Sequence, residues 1–578
     1  MLTPRRILRR PAVPVPEGLS ALPPLLQRLY ASRGLSDAAQ LRLSPDRLLR
    51  VGSLDGVEAA AQLLLAHRQR CVVVVGDYDA DGATSTALVL RALRAWGFAN
   101  VQFVVPDRVT HGYGLTPPVV DIAATLGVTL LVTVDNGTSS VAGVARAREL
   151  GIEVLVTDHH LPGPQQPAAQ VIVNPNLPGS GFGSRALAGV GVAFYVMVAL
   201  RRALDAQGLL SPQALPAAAL LDLVALGTVA DLVPLDDNNR VLVAEGLRRI
   251  RDGQCAPGIT ALLAVAQRDV QGLSAADLGF VVAPRLNAAG RLDDMGIGIR
   301  CLLADTLAQA QPLAAQLDAL NRERRQIQAD MQALAQRAVQ GLDLPHRGSP
   351  RRALCLYDPQ WHQGVVGLVA SRIKDQVRRP VIAFAPGGEP GQLRGSARSV
   401  PGVHIRDAIE AVATGEPGLV LAYGGHAMAA GLTLAVDDLD RFARAFEAQV
   451  ARWQPDADLD AVLTDGALEP AQLALQTAEQ LRAAGPWGQG FPEPLFDGRF
   501  HVVSARVLGE RHLKLKLRPE GALAQLDAIA FNHFSDNVTA LPSGLVDVAY
   551  RLDINLWQGK RQLQLLVEHL QAPGGSYC

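Results

Sequence analysis

Three aspartates alternate within five residues where the chain reads Gly76-Asp-Tyr-Asp-Ala-Asp-Gly82, placing carboxylates at Asp77, Asp79 and Asp81. Asp135-Asn136-Gly137, Asp158-His159-His160 and Asp231 follow further along. Carboxylates that converge cannot all stay ionised without a cation among them, because each charge opposes the next. Oxygen donors joined by one or two imidazoles suit Mn2+ or Mg2+ and differ from the thiolate sets that take structural zinc. Two such ions about 3.5–4 Å apart generate a hydroxide, neutralise a phosphate and stabilise the leaving oxygen in phosphodiester cleavage. Taken singly, each segment has a plain structural explanation, a turn after a strand or the cap of a helix. Their joint placement at the ends of apolar runs points to chemistry.

Those runs are β-branched: Cys71–Val75 before the triple aspartate, Thr129–Val134 before Asp135, Glu153–Thr157 before Asp158, with Val101–Val105 and Val171–Val173 beside them. Helix-like stretches such as Thr84–Trp96 and Ser140–Leu150 fill the gaps. Near-continuous apolar strands alternating with helices predict βαβ units and a parallel sheet covered on both faces. Ligands collect outside the carboxyl ends of such strands, so three strands deliver Asp and His side chains to one place. Asp231 ends another apolar run, Leu220–Ala230.

Beyond this unit, Leu313, Leu317, Leu320, Ile327, Met331 and Leu334 mark one stripe of a long helix with Arg322–Arg325 on its polar side. A Pro/Gly/Arg-rich break at 344–352 precedes a second α/β pattern with strands expected at Ala353–Tyr357, Val381–Ala385 and Leu419–Ala422. Alternating segments from His501 to Glu568 predict a small β-barrel or sandwich. The expected division is an arm, irregular or a short helical cap (1–50), a first α/β domain (51–305), a connecting helix (306–345), a smaller α/β domain (346–455) and a C-terminal β domain (456–578).

The segments Gly76-Asp-Tyr-Asp-Ala-Asp-Gly82, Val134-Asp-Asn-Gly137, Thr157-Asp-His-His160 and Val229-Ala-Asp231 together resemble the four motifs of the DHH phosphoesterases, in the form carried by that family's single-strand-specific exonucleases. The likeness continues through Val105-Pro-Asp-Arg108, Gly112-Tyr-Gly-Leu115, Arg285-Leu-Asn-Ala-Ala-Gly-Arg291 and Trp361-His-Gln-Gly-Val-Val-Gly367. Arg394-Gly-Ser-Ala-Arg-Ser399, Gly424-Gly-His426 and Gly485-Pro-Trp-Gly-Gln-Gly-Phe-Pro-Glu-Pro494 extend it across roughly residues 50–570. The resemblance implies a DHH domain, a DHHA1 domain and an OB-fold. It implies two ions, Mn2+ or Mg2+, bridged by Asp135. Asp79 or Asp81, with His159 and Asp231, would hold one, and Asp77 with a neighbouring aspartate the other. His160 would face the scissile phosphate, and Asp81, Asp135, His159 and His160 would form the catalytic group.

Arg394, Ser396 and Arg398 share one face of an extended segment, where two guanidiniums and a hydroxyl can surround a phosphate. Gly424, Gly425 and His426 allow close backbone approach, and Arg108, Arg285 and Arg291 add charge from the first domain. In the family these read as the nucleic-acid-holding face, although a solvated charged strand at Arg394–Arg398, a turn at Gly424–His426 and structural ion pairs at the arginines of the first domain explain them as well. On the barrel, Arg511, His512, Lys514 and Lys516 cluster, with Phe531 and Trp557 available to stack on bases or to fill the core. The function expected is 5′→3′ hydrolysis of single-stranded DNA to mononucleotides in recombination and repair. A single-stranded-DNA-binding protein and a repair helicase are the partners implied. The alternatives are a DHH phosphoesterase for small nucleotides, against which the third domain counts, and a non-catalytic DNA-binding relative, against which the intact carboxylates count.

Composition sets few further limits. Lys+Arg number 54 against 55 Asp+Glu, so any basic groove is offset elsewhere. Five widely spaced cysteines suggest neither a disulfide framework nor a zinc site and fit a reducing cytoplasm. The uncharged apolar stretch Ala186–Leu200 is too short to span a bilayer, so no membrane partner is expected.

Overall fold

The computed structural model describes residues 6–573 except 108–109, 341–350, 365, 401, 426–427, 454–460, 510–511, 534–540 and 558–559. The side chains of 332, 334–340, 376, 453 and 556–557 also lie outside the description. Arg108, His426, Arg511 and the Trp557 side chain, all singled out from the sequence, therefore fall outside the described residues.

The chain opens with a short strand, β1 (Arg6–Arg9), whose partner lies near the other end. The first domain is built on β2 (Cys71–Val75), β3 (Asn100–Val104), β4 (Leu130–Val134), β5 (Glu153–Thr157) and β6 (Val171–Val173). All pair in parallel, in the order β3-β2-β4-β5-β6. β2 and β4 are buried at every residue, which is why they read as unbroken apolar runs. One face packs Val72, Val74, Leu130 and Val132 against the helices Ala80–Ala95 and Gly189–Ala206. The other packs Val73, Val75, Leu131 and Val154 against Pro117–Ala124 and Val141–Glu149. Because β2 has β3 on one side and β4 on the other, the chain reverses direction across the sheet there, and a crevice opens at the carboxyl ends of β2, β4 and β5.

A 34-residue helix, Leu307–Gln340, then leads away from the first domain. The second domain is a mixed sheet of β7 (Leu354–Tyr357), β8 (Val381–Pro386), β9 (Gln392–Arg398), β10 (Ala422–Gly425) and β11 (Ala429–Ala435), ordered β10-β11-β9-β8-β7. The strand expected at Leu419–Ala422 starts three residues later. Leu419 is instead a core residue at the end of a turn, its N–H donating to the Glu416 carbonyl. After β12 (Ala461–Thr464), the strands β13 (Phe496–Leu508), β14 (His512–Pro519), β15 (Leu526–Ala530), β16 (Gly544–Trp557) and β17 (Lys560–Gln571) close a barrel in the order β13-β14-β15-β17-β16.

The first fifty residues do more than cap one domain. β1 pairs in parallel with β12, Arg6 opposite Ala461 through Arg9 opposite Thr464. Arg9 donates through Nε and Nη2 to the buried Asp497 carboxylate. In the helix Pro24–Ala31, Leu25 and Leu29 enter the barrel core while Tyr30 and Ala31 enter the core of the first domain. Arg33 and Asp465 form a buried pair, 2% and 3% exposed. The arm is a strap joining the first domain to the last. Among the described residues no helix is long and apolar enough to cross a membrane.

Candidate active site

Asp77 follows β2, Asp135 follows β4, and Asp158 and His159 follow β5, so strand register alone gathers them. Asp79 caps the helix Ala80–Ala95, accepting from the Gly82 N–H at 3.0 Å. Asp81 is buried in its first turn and accepts the Gly189 and Val190 N–H groups at 2.7 and 3.1 Å. Those donors open the helix Gly189–Ala206, whose N-terminal dipole favours the negative charge. Asp135 adopts a left-handed backbone, φ 62°. Few residues other than glycine accept that conformation, and Asp is among those that do. Asn136 ties the neighbourhood together, donating to the carbonyls of Val75 on β2 and Val134 on β4. Asp231 terminates the helix Leu221–Ala230.

These side chains meet. His159 Nε2 lies 3.1 Å from Asp135 Oδ1 and 3.5 Å from Asp231 Oδ2. Three sets of donor atoms each fall within 4.8 Å: Asp77, Asp79 and Asp135; Asp81, His159 and Asp231; Asp135, His159 and His160. Asp135 is shared by the first and third. Burial, then the Asp79 charge, pushes the Asp81 carboxyl up to about 7. Burial followed by repulsion from Asp81 and Asp79 pushes Asp135 and Asp231 well above the ordinary carboxylate range. A cluster that resists its own ionisation in this way is complemented by divalent cations, and its carboxylate and imidazole donors fit Mn2+ or Mg2+.

Asp158 behaves differently. It is buried and accepts N–H groups from Thr138, His159 and His160, and its Oδ1 lies 2.8 Å from His160 Nδ1. Burial opposes its charge, yet the His160 hydrogen bond and the two imidazoles hold it below the usual carboxylate range. Burial likewise opposes the His160 cation, and Asp158 overrides it, raising His160 to about 9. Asp158 therefore orients His160. Asn174 and Asn176 fix the same turn by donating to the carbonyls of His160 and His159. Tyr113, which the sequence reading left without a role, is 40% exposed at the mouth, and its hydroxyl lies 3.2 Å from the Asp135 carbonyl and from the His160 ring. The only sequence signal for it is its place in a Gly-Tyr-Gly turn.

The second domain presents Arg394, Ser396 and Arg398 on one face of β9, with Gly395 and Ala397 buried on the other. Across β11 and β10, Ser396 aligns with Gly431 and then Gly424, so the face is walled by small residues. Gly424 and Gly425 are strand residues there, both exposed. Arg398 donates to Ser396 Oγ at 2.9 Å. A Cβ on Gly367, at the start of the helix Val366–Val377, would lie 2.6 Å from Arg398 Nη2 and 2.9 Å from Ser396 Oγ. Arg398, Ser396 and a helix N-terminus thus meet in one corner whose donors are of the kind that suit an anion. Arg291 joins the two domains, its Nη1 donating to the Gly364 carbonyl at 3.4 Å. Arg285 is a correction: it is 8% exposed, with its Nη2 2.8 Å from Asp318 of the long helix, so its charge braces that helix. On the barrel, Lys514 and Lys516 lie opposite Arg506 and Ser504, and Phe531 is 55% exposed with its ring edge-on to His512, outside the core.

The crevice, the carboxylate and histidine cluster and the domain order define a DHH-type phosphoesterase. Three family models agree, the DHH family N-terminal domain at residues 71–228, the DHHA1 domain at 351–452 and the RecJ OB domain at 464–569. The chain belongs to the RecJ family. It is 53% identical over 572 residues to the single-stranded-DNA-specific exonuclease RecJ of Dickeya dadantii, covering 97% of this chain and 98% of that protein. The protein of the same name from Escherichia coli is 52% identical over the same shares of the two chains. The crystal structure of RecJ from Thermus thermophilus in complex with Mn2+ superposes with a TM-score of 0.80 at 32% identity, covering 99% of this chain and 80% of that one. A second structure of that protein, with Mg2+, gives a TM-score of 0.74.

Proposed function

We propose that the chain is a metal-dependent exonuclease that removes mononucleotides from single-stranded DNA in the 5′→3′ direction. The observation that carries this is the overlap of the ligand sets at Asp135 and His159. Asp77, Asp79 and Asp135 would hold one ion, and Asp81, His159 and Asp231 the other, with Asp135 shared. When bound, such a pair supplies countercharge, activates water and stabilises the leaving oxygen. The chain's own groups do the rest. His160, held by Asp158, donates a hydrogen bond to the scissile phosphate. Arg398 and Ser396 catch a terminal 5′-phosphate, with Arg394, Gly424 and Gly425 along the same face, Arg291 at the junction, and Arg108 and His426 assigned there from the sequence. A pocket that catches the chain end beside the metals makes the cut one nucleotide in, which gives direction to a reaction with none of its own. The cationic side of the barrel holds the strand further on.

A cytoplasmic setting and a role in recombination and repair complete this reading. A single-stranded-DNA-binding protein to present the strand and a helicase to open it are its proposed partners, testable by co-purification. The activity is tested with a labelled single strand and purified protein. Mn2+ should release mononucleotides from the 5′ end, EDTA should stop it, and a blunt duplex, about 20 Å wide, should resist. Equal rates on blunt duplex and single strand would refute the reading.

A further inference from the structure

The helix Ala283–Leu292 touches the metal loop and the second domain at once. Asn287 Oδ1 accepts the Ala80 N–H at 2.8 Å. Ala80 is the first residue of the helix that Asp79 caps, and it is buried, so its N–H has no water to turn to. The peptide it belongs to sits between Asp79 and Asp81, two proposed ligands. One turn along, Gly290 lies so close to the Tyr78 carbonyl that any Cβ would collide with it. At the next residue Arg291 donates to Gly364, and a Cβ on Gly364 would lie 2.9 Å from the Arg291 carbonyl. Gly364 is three residues from Gly367, which abuts Arg398 and Ser396. One short helix thus links the loop bearing Asp77, Asp79 and Asp81 to the corner that would take the terminal phosphate.

We propose that Asn287 is a positioning residue that sets the 76–82 loop for metal binding, and that it does so from a helix fixed at its far end by the second domain. The proposal rests on the two-ion reading of the site. Asn287 touches neither the ions nor the substrate. It acts through the Ala80 N–H, by holding the Asp79–Ala80 peptide, which Asp81 directly follows. Removing a partner that orients ligands typically weakens metal binding or activity by about ten- to a hundredfold.

The test is Mn2+ binding to the full chain without DNA, followed by calorimetry or by the free-ion resonance signal, beside a thermal melt of each variant. Asn287→Leu keeps the branching and the number of side-chain heavy atoms but has no acceptor, whereas Asn287→Asp keeps an oxygen for the Ala80 N–H. The expected result is Mn2+ affinity about ten- to a hundredfold weaker in Asn287→Leu and close to wild type in Asn287→Asp. Wild-type affinity in the Leu variant overturns the proposal. So does equal weakening in both, since Asp keeps both the shape and the acceptor, and the loss would then trace to the amide NH2 or to the added charge and not to the oxygen that takes the Ala80 N–H. If Leu prevents folding, Asn287→Ala takes its place against the same Asp control. Failure of the wild type itself to bind Mn2+ would instead overturn the two-ion reading.

Discussion

Gly189→Ala would test how tightly the cluster is built. Gly189 opens the helix Gly189–Ala206 and donates its N–H to Asp81. A Cβ there would lie 2.6 Å from both Cβ and Oδ1 of Asp135 and 2.8 Å from its Cα, where ordinary contact begins at 3.4 Å. Relief needs a shift of about 0.8 Å. Rotating the Asp135 side chain cannot supply it, because the backbone is part of the obstruction, and φ at 62° has little latitude to change. Forcing a methyl into such a site costs about 1–3 kcal/mol. For a domain of this size that lowers the melting temperature by roughly 2–4 °C per kcal/mol. The effect on chemistry should be larger, since a displacement near 1 Å at reacting groups costs about a hundredfold in rate. Turnover on a single strand and the Mn2+ concentration for half activity are measured beside the melt. Wild-type turnover with a lowered melting temperature would show that the Asp135 carboxylate is not placed as described.

Asp135→Asn keeps a residue that tolerates the left-handed backbone but removes the charge, so hydrolysis should vanish. Because burial raises the Asp135 carboxyl in the folded state, its ionised form opposes folding above the ordinary carboxylate range. Without metal at pH 8, Asp135→Asn should therefore unfold at higher urea than wild type, and a lower midpoint would contradict the assignment. Arg398→Ala should reduce the preference for 5′-phosphorylated over 5′-hydroxyl strands by roughly ten- to a hundredfold, from about 1.5–3 kcal/mol per charge-assisted contact. Initial rates on the two substrates check it, and an unchanged ratio would place the end pocket elsewhere. Arg33→Ala leaves the buried Asp465 carboxylate with only Arg10, 3.5 Å away, and the Leu495 N–H, so it should cost up to about 3 kcal/mol in urea unfolding while leaving the metal site untouched. Wild-type stability would show that the strap does not hold the last domain.

The catalytic half of the molecule was legible because its signals are local. β2, β4 and β5 announce themselves as buried runs, and each carries its Asp or His on the next residue or two. The alternation at Arg394, Ser396 and Arg398 is equally local, and the strand places the three as the period of two requires. What the sequence hid depends on distant partners. Arg6-Ile-Leu-Arg9 is too short to show a period, and it becomes a strand only because Ala461–Thr464 lies beside it. Arg285 reads as spare positive charge until Asp318 is seen against it. Asn287 sits mid-helix in an Ala-rich motif, and nothing nearby hints that its amide reaches Ala80. The role of Asp158 in the Asp-His-His run shows only in its contacts, which tie it to Thr138, His159 and His160.

The strap has a consequence for synthesis on the ribosome. Arg9 and Asp497 are 488 residues apart, and at about 5–20 residues per second the first emerges roughly 25–100 s before the second. All the ligands of the metal cluster have been translated well within that interval, so the nascent chain can complete its crevice while β1 is an unpaired edge and the buried faces of Leu25 and Leu29 have no barrel to enter. A nuclease centre can thus be assembled before the last domain exists, and the first strand can be withdrawn from solvent only once Ala461–Thr464 has been made.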